Sequence, residues 1–179
     1  MTCIVGLTDK GKVYIGGDSA SGNGSMTQVS TVPKLFRKDP FVIGYTSSWR
    51  MGQILQHHLR ADDLKESDSA HEFMVCVFIE KVRQLFKTFG YARRENNEET
   101  GGTFLVGYCG HLYFIGSDYQ VNETLDGMDA CGCGAEVALG ALYATKGTQL
   151  NPFQRLDIAL EAAAHFSSDV RPPFRVEVI

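Results

Sequence analysis

Proline is scarce, at five residues, and no apolar run approaches the roughly 18 residues that a membrane-spanning helix needs. Basic residues are not in excess. Lys and Arg number 17 against 21 Asp and Glu, and the net charge of -4 has the wrong sign for a general nucleic-acid binder. A secretory signal is missing too, because Thr8-Asp9-Lys10 breaks the apolar stretch that starts at Cys3. A cytoplasmic location is therefore expected. The five cysteines (Cys3, Cys76, Cys109, Cys131 and Cys133) are an odd count, which argues for free thiols. Cys131 and Cys133 enclose one residue, and no second Cys or His pair has zinc spacing. Gly16-Gly17-Asp18 precedes no helix, so it is not a phosphate loop. No metal and no cofactor are expected. Linkers of low complexity and repeats of about 20–50 residues are also lacking. What remains is one domain, 1–179, of 179 residues, 44% hydrophobic, long enough to bury a core without staples.

The hydrophobic period changes twice along the chain. Cys3–Thr8 and Lys12–Asp18 read as strands joined by a turn at Asp9-Lys10-Gly11. Ser19–Gly24 reads as a loop, Thr27–Phe36 as a weak strand, and Phe41–Tyr45 as a short buried strand. Helical spacing then runs over Trp49–Leu59, with Ser47 or Ser48 as N-cap, and over His71–Phe89. Arg93–Thr100 reads as a solvated loop, with a pore or interface loop as its alternative. Strands return at Thr103–Cys109, His111–Ser117 and Asp118–Glu123. Helices follow at Ala135–Thr145 and Phe153–Phe166, and Phe174–Ile179 is strand-like. Strands, two helices, strands, two helices, strand is an α+β order. Two antiparallel sheets face to face, each with a helix pair outside, satisfy every amphipathic face.

Thr2 is the leading candidate for chemistry. Loss of Met1 exposes a residue that carries both a hydroxyl and a free α-amine. An α-amine titrates near about 7.7–8.0, so a useful fraction is neutral at pH 7 and can take the hydroxyl proton. Asp18 closes the second strand, and a hairpin brings that end beside the start of the first. Lys34 lies in the apolar stretch Val32-Pro33-Lys34-Leu35-Phe36 and, if it points inward, needs a carboxylate such as Asp18. Together they form a nucleophile, a lysine and an orienting acid.

Thr2-Cys3-Ile4-Val5-Gly6, Val13-Tyr14-Ile15-Gly16-Gly17-Asp18 and Lys34-Leu35-Phe36 resemble the proteasome β-subunit/HslV family of N-terminal nucleophile hydrolases. Asp18 and Lys34 stand 16 and 32 residues after Thr2, at that family's offsets. Gly132-Cys133-Gly134 resembles the family's Gly-Ser-Gly segment, which leads into a helix. The resemblance implies a four-layer αββα sandwich with Thr2 as nucleophile, Lys34 beside it and Asp18 pairing Lys34. It places Cys133 where the family has a serine near the α-amine. It places the oxyanion hole at the backbone N–H of Ser47 or Ser48. The family's late Asp-x-x-Ser pair falls near Ser167 and Val170, with Ser167, Ser168 and Asp169 as alternatives for that role. The substrate side-chain pocket would come from the loop after Tyr45 and from residues near Ser21 to Thr31.

The function this implies is a threonine-type peptidase subunit of a self-compartmentalised ring. Its partners would be further copies of itself, peptide or unfolded protein as substrate, and possible docking of an AAA-type unfoldase, with no nucleic acid and no membrane. Two alternatives stand beside it. One is a catalytically silent, ring-forming scaffold. The other is a small-molecule amide hydrolase that uses Thr2 or Cys3. The stripe of Trp49, Met51, Leu55 and Leu59 is either a subunit contact or ordinary core.

Overall fold

The computed structural model describes residues 2–22, 26–60 and 69–179. Strands β1 (Cys3–Asp9) and β2 (Lys12–Gly17) form the expected hairpin. Its turn has φ 49° at Lys10 and 74° at Gly11, the paired positive angles of a type I′ turn. Two short strands follow, β3 (Ala20–Gly22) and β4 (Thr27–Val29), paired with each other. Then come β5 (Leu35–Lys38) and β6 (Phe41–Tyr45). The first helical stretch is α1 (Trp49–His58), then α2 (Ala70–Glu72), a π-helical turn Phe73–Phe78, and α3 (Ile79–Thr88). Strands β7 (Arg93–Glu95), β8 (Glu98–Thr100), β9 (Phe104–Tyr108), β10 (His111–Ile115), β11 (Val121–Glu123) and β12 (Met128–Gly132) come next. The chain ends with α4 (Ala135–Ala144), α5 (Pro152–Phe166) and β13 (Arg175–Val178).

Two sheets carry the architecture, in the orders β12-β1-β2-β13 and β11-β10-β9-β6-β5, with every pairing antiparallel. Strand alternation explains why β1 is apolar throughout. Cys3, Val5 and Leu7 pack on Ala138, Leu142, Leu156 and Leu160 of α4 and α5. Ile4 points the other way and joins Val13 and Ile15 against Val42, Leu105 and Leu112 of the second sheet. The outer face of that sheet holds a larger aromatic core, in which Phe41, Phe104 and Tyr113 meet Phe78 and Phe86. Helix pair, sheet, sheet and helix pair are thus four layers with three apolar seams. Met51, Leu55 and Leu59 are fully buried, so those three are core, while Trp49 is partly buried against them. No described helix is long and apolar enough to cross a membrane.

Several local expectations are corrected. Arg93–Thr100 is a hairpin, not a loop, because Asn96 and Asn97 take φ 49° and 69° and close a two-residue turn. Of Ser19–Gly24, read as a loop, Ala20–Gly22 is strand β3, and the remainder at 23–24 lies outside the described residues. Thr27–Phe36 is no single strand: β4 pairs with β3, while Leu35 and Phe36 begin β5 in the five-stranded sheet. Strand β12 has no counterpart in the sequence reading. Asp129, Ala130 and Gly132 have weak strand preference, and pairing with Cys3–Leu7 of β1 overrides it. The helix over 71–89 is interrupted by its π-helical turn, which sets Phe73, Met74 and Phe78 into the core.

Helix α1 meets the sheet at Gly52. A Cβ built there would lie 2.0 Å from the Tyr45 ring, which is itself buried. Gly52→Ala is therefore expected to cost about 1–3 kcal/mol by overpacking, read as a lower urea midpoint. Gly140→Ala in α4, where a Cβ meets nothing within 4 Å, is expected to raise stability by about 0.5–1 kcal/mol. Equal midpoints for the two variants would refute the packing argument.

Candidate active site

Asp18 follows β2 directly and is almost wholly enclosed, with a side chain that exposes nothing to solvent. A carboxylate taken out of water must have its lone pairs satisfied, and here four donors do so. Oδ1 accepts the Cys3 N–H at 2.9 Å and the Lys34 Nζ at 2.8 Å. Oδ2 accepts the Ala20 N–H at 2.9 Å and the Arg171 N–H at 3.3 Å. Lys34 is 4% exposed and sits just before β5, its carbonyl accepting the Tyr45 N–H at 2.9 Å. The expected carboxylate partner for an inward lysine is thus Asp18 itself.

Thr2 lies one residue before β1, 6% exposed, and shares a cleft with Lys34. The cleft is about 180 Å³, and Tyr45, Ser47 and Trp49 complete that part of its wall. Ser21 and Gly22 of β3 form the facing wall. Residues 23–25 of the stretch expected to shape the substrate pocket, and Met1, lie outside the described residues.

The Gly132-Cys133-Gly134 turn wraps the Thr2 backbone. The Thr2 N–H donates to Cys133 Sγ at 3.2 Å, and the Cys133 thiol donates back to the Thr2 carbonyl at 3.3 Å. Gly134 N–H donates to that same carbonyl at 3.3 Å. Gly132 has φ 99°, and a Cβ there would stand 2.3 Å from the Thr2 oxygen, so only glycine allows this approach.

The two serines expected near the oxyanion differ in their bonding. Ser48 N-caps α1, its Oγ accepting the Arg50 N–H at 3.1 Å, and its own N–H is taken by the Thr46 carbonyl at 2.7 Å. Ser47 has φ 65°, a left-handed conformation that costs a non-glycine residue about 1–2 kcal/mol. Its Oγ accepts the Thr103 N–H at 3.1 Å, which helps hold that shape. Among the described residues no acceptor takes the Ser47 N–H, so the donor left for an anion in this cleft is Ser47, not Ser48.

The late segment reaches the site by a route that side-chain matching misses. Ser167 and Asp169 are bonded to each other, the Asp169 N–H donating to Ser167 Oγ at 3.3 Å. Val170 is fully buried, and a Cβ at Gly134 would meet it at 2.8 Å. What arrives at Asp18 is the backbone of Arg171, whose carbonyl also accepts the Ser19 N–H at 2.9 Å. Cys3, the alternative nucleophile, is fully buried on the helix side of β1. Burial, and then the nearby Asp18 charge, push its thiol up to about 12, which leaves it inert. Among the described residues no group of three His, Cys, Asp or Glu is placed to hold a metal ion.

Removal of one partner of the Lys34–Asp18 pair strands a buried charge. Lys34→Ala is expected to cost about 3–5 kcal/mol in urea unfolding. A loss below about 1 kcal/mol, the range of exposed ion pairs, would mean that the pair is not enclosed as described.

No family model matches the chain, and no curated protein matches it in sequence. Solved structures do. BPH of Thiobacillus denitrificans, a bacterial proteasome homologue, superposes with a TM-score of 0.83 at 19% identity. That alignment covers 99% of this chain and 97% of BPH, with the same values for BPH in complex with epoxomicin. HslV from Trypanosoma brucei superposes with a TM-score of 0.69 at 19% identity, over 98% of each chain. Likeness at this identity and coverage is likeness of fold. The chain has the α+β sandwich fold of BPH and HslV, aligned over nearly its full length.

Proposed function

We propose that the protein is a threonine-type amide hydrolase, most specifically a peptidase, whose nucleophile is Thr2 after Met1 is removed. The observation that carries this reading is the enclosed Lys34–Asp18 pair, 2.8 Å long, whose Lys34 lines the same cleft as Thr2. An enclosed cation next to a hydroxyl favours the charge that develops as the proton leaves. The cleft also suits an extended peptide. It runs between β3, which among the described strands pairs only with β4, and the Thr46–Trp49 segment. A peptide can add to such a strand edge through its backbone.

In this mechanism the Thr2 α-amine takes the proton from Oγ as Oγ attacks the substrate carbonyl. Lys34 stabilises the incipient alkoxide, and Asp18 holds Lys34 in place. The Ser47 N–H donates to the tetrahedral oxyanion, an interaction typically worth about 10²–10³ in rate. The protonated amine then gives its proton to the leaving nitrogen, and water hydrolyses the acyl-Thr2 ester by the same shuttle in reverse. Cys133 contacts the Thr2 nitrogen and so orients the amine.

Intact mass should show the protein without Met1, and processed enzyme should cleave fluorogenic peptides. Thr2→Ala should reduce that rate to background, while Asp18→Asn and Lys34→Ala should each reduce it at least about 10²-fold. Epoxomicin, named with the BPH structure, is expected to inhibit the wild type. Retained Met1, or a Thr2→Ala protein as fast as wild type, would refute the reading. A processed but inactive wild type would favour the scaffold alternative.

The working unit on this reading is a ring of identical subunits, with an unfoldase as a further partner. Exposed apolar side chains at Leu125, Tyr143, Phe153 and Phe166 offer contact surface. Native mass spectrometry is expected to find a closed oligomer, and a stable monomer at micromolar concentration would remove the ring from the proposal.

A further inference from the structure

Cys76, Cys109 and Cys133 are exposed thiols, whereas Cys3 and Cys131 are buried. Burial pushes the thiols of Cys3 and Cys131 far up, which leaves them unreactive. Cys133 differs from the other exposed thiols in its neighbour. Its sulfur is 3.2 Å from the Thr2 nitrogen, the atom that serves as base in the proposed mechanism. The contact is clamped rather than incidental. The thiol also meets the Thr2 carbonyl at 3.3 Å, Gly134 N–H fixes that carbonyl, and Gly132 lets the turn close upon it. An electrophilic sulfur formed at Cys133 would therefore arise within reach of the nucleophilic amine.

We propose, resting on the peptidase reading, that Cys133 is an oxidation site whose sulfenic acid closes onto the Thr2 α-amine as a reversible sulfenamide. Hydrogen peroxide oxidises the Cys133 thiolate to the sulfenic acid and is reduced to water. The lone pair of the neutral amine then attacks sulfur, the S–N bond forms, and the sulfur–oxygen bond breaks. The departing hydroxide takes the proton lost by nitrogen and leaves as water. The nitrogen is no longer a useful base, so Thr2 Oγ has nowhere to send its proton and hydrolysis stops. A small thiol reverses the step. One thiolate attacks sulfur and releases the amine, which takes up a proton. A second thiolate cleaves the mixed disulfide, restoring the Cys133 thiol and leaving the small thiol as its disulfide. Cys3 is the competing partner, since Cys133 is among the groups that act on its thiol, but burial holds that thiol up at about 12 and unreactive.

The experiment uses processed protein carrying Cys76→Ser and Cys109→Ser, so that Cys133 is the remaining exposed thiol. It is treated with dilute peroxide, then read by intact mass, by amine labelling of the N-terminal peptide and by peptidase rate. The expected product is about 2 Da lighter, has an α-amine that no longer labels, and regains mass, label and rate with dithiothreitol. Its rate should fall at least about tenfold, the base being lost. Adding Cys133→Ser should abolish the mass change and make the rate, relative to that variant's own untreated rate, insensitive to peroxide. A gain of about 16 or 32 Da with a labelling amine would overturn the closure. So would a loss of about 2 Da with a labelling amine, since that is a disulfide. Both results leave the peptidase reading standing. Retained Met1 overturns the peptidase reading itself, and the closure with it.

Discussion

The site depends on one enclosed carboxylate. Asp18 accepts from the first strand at Cys3, from the start of β3 at Ala20, from the Lys34 ammonium and from the Arg171 backbone. Those donors belong to four segments that are remote in sequence. A carboxylate that has left water holds such donors firmly, because loss of any one leaves a lone pair bare in a low-dielectric place. Asp18 therefore sets where β1 begins, and with it where Thr2 stands. It also places the ammonium next to the cleft. On the proposed reading, structural and chemical roles coincide in this one side chain, and a change at Asp18 would alter both together.

The second organising feature is the turn at Gly132-Cys133-Gly134. It holds the Thr2 backbone from the opposite side to Asp18, through the thiol and the Gly134 N–H. A thiol donates and accepts more weakly than a hydroxyl. In exchange it sets an oxidisable sulfur against the Thr2 nitrogen. Ser47 is the third constraint, in a left-handed conformation supported by the Thr103 N–H that its Oγ accepts. Its N–H is thereby left facing a cleft instead of closing a turn.

Local signals made much of the fold legible. The β1–β2 turn was readable from Asp9-Lys10-Gly11, the cap of α1 from Ser48, and the helix boundaries near Ala135 and Phe166 from period alone. Elements without local preference were not. Strand β12 contains Asp129 and Gly132 and becomes a strand because β1 needs a partner along its other edge. The β7–β8 hairpin rests on Asn96-Asn97, a turn signal present in the sequence but hidden among charges. Within the candidate site, the Lys34–Asp18 pair was legible because an inward lysine needs a carboxylate. Arg171 was not, since its contribution is a backbone N–H that any non-proline residue has.

The sequence alone determined an acidic composition with no long apolar run, the strand and helix periods, and a Thr–Asp–Lys series whose offsets resemble those of the proteasome β-subunit/HslV family. Those are properties of side-chain identity and order, which need no tertiary context. Only the tertiary structure decided which groups meet. It buried Cys3 and spared Cys133, because strand alternation turns one toward the helices and a glycine turn lays the other against Thr2. It engaged the Ser48 N–H and left that of Ser47, because the Thr46 carbonyl takes the one and no described acceptor takes the other. Exposure, hydrogen-bond satisfaction and left-handed backbone arise from packing between distant segments, and no local window of sequence contains them.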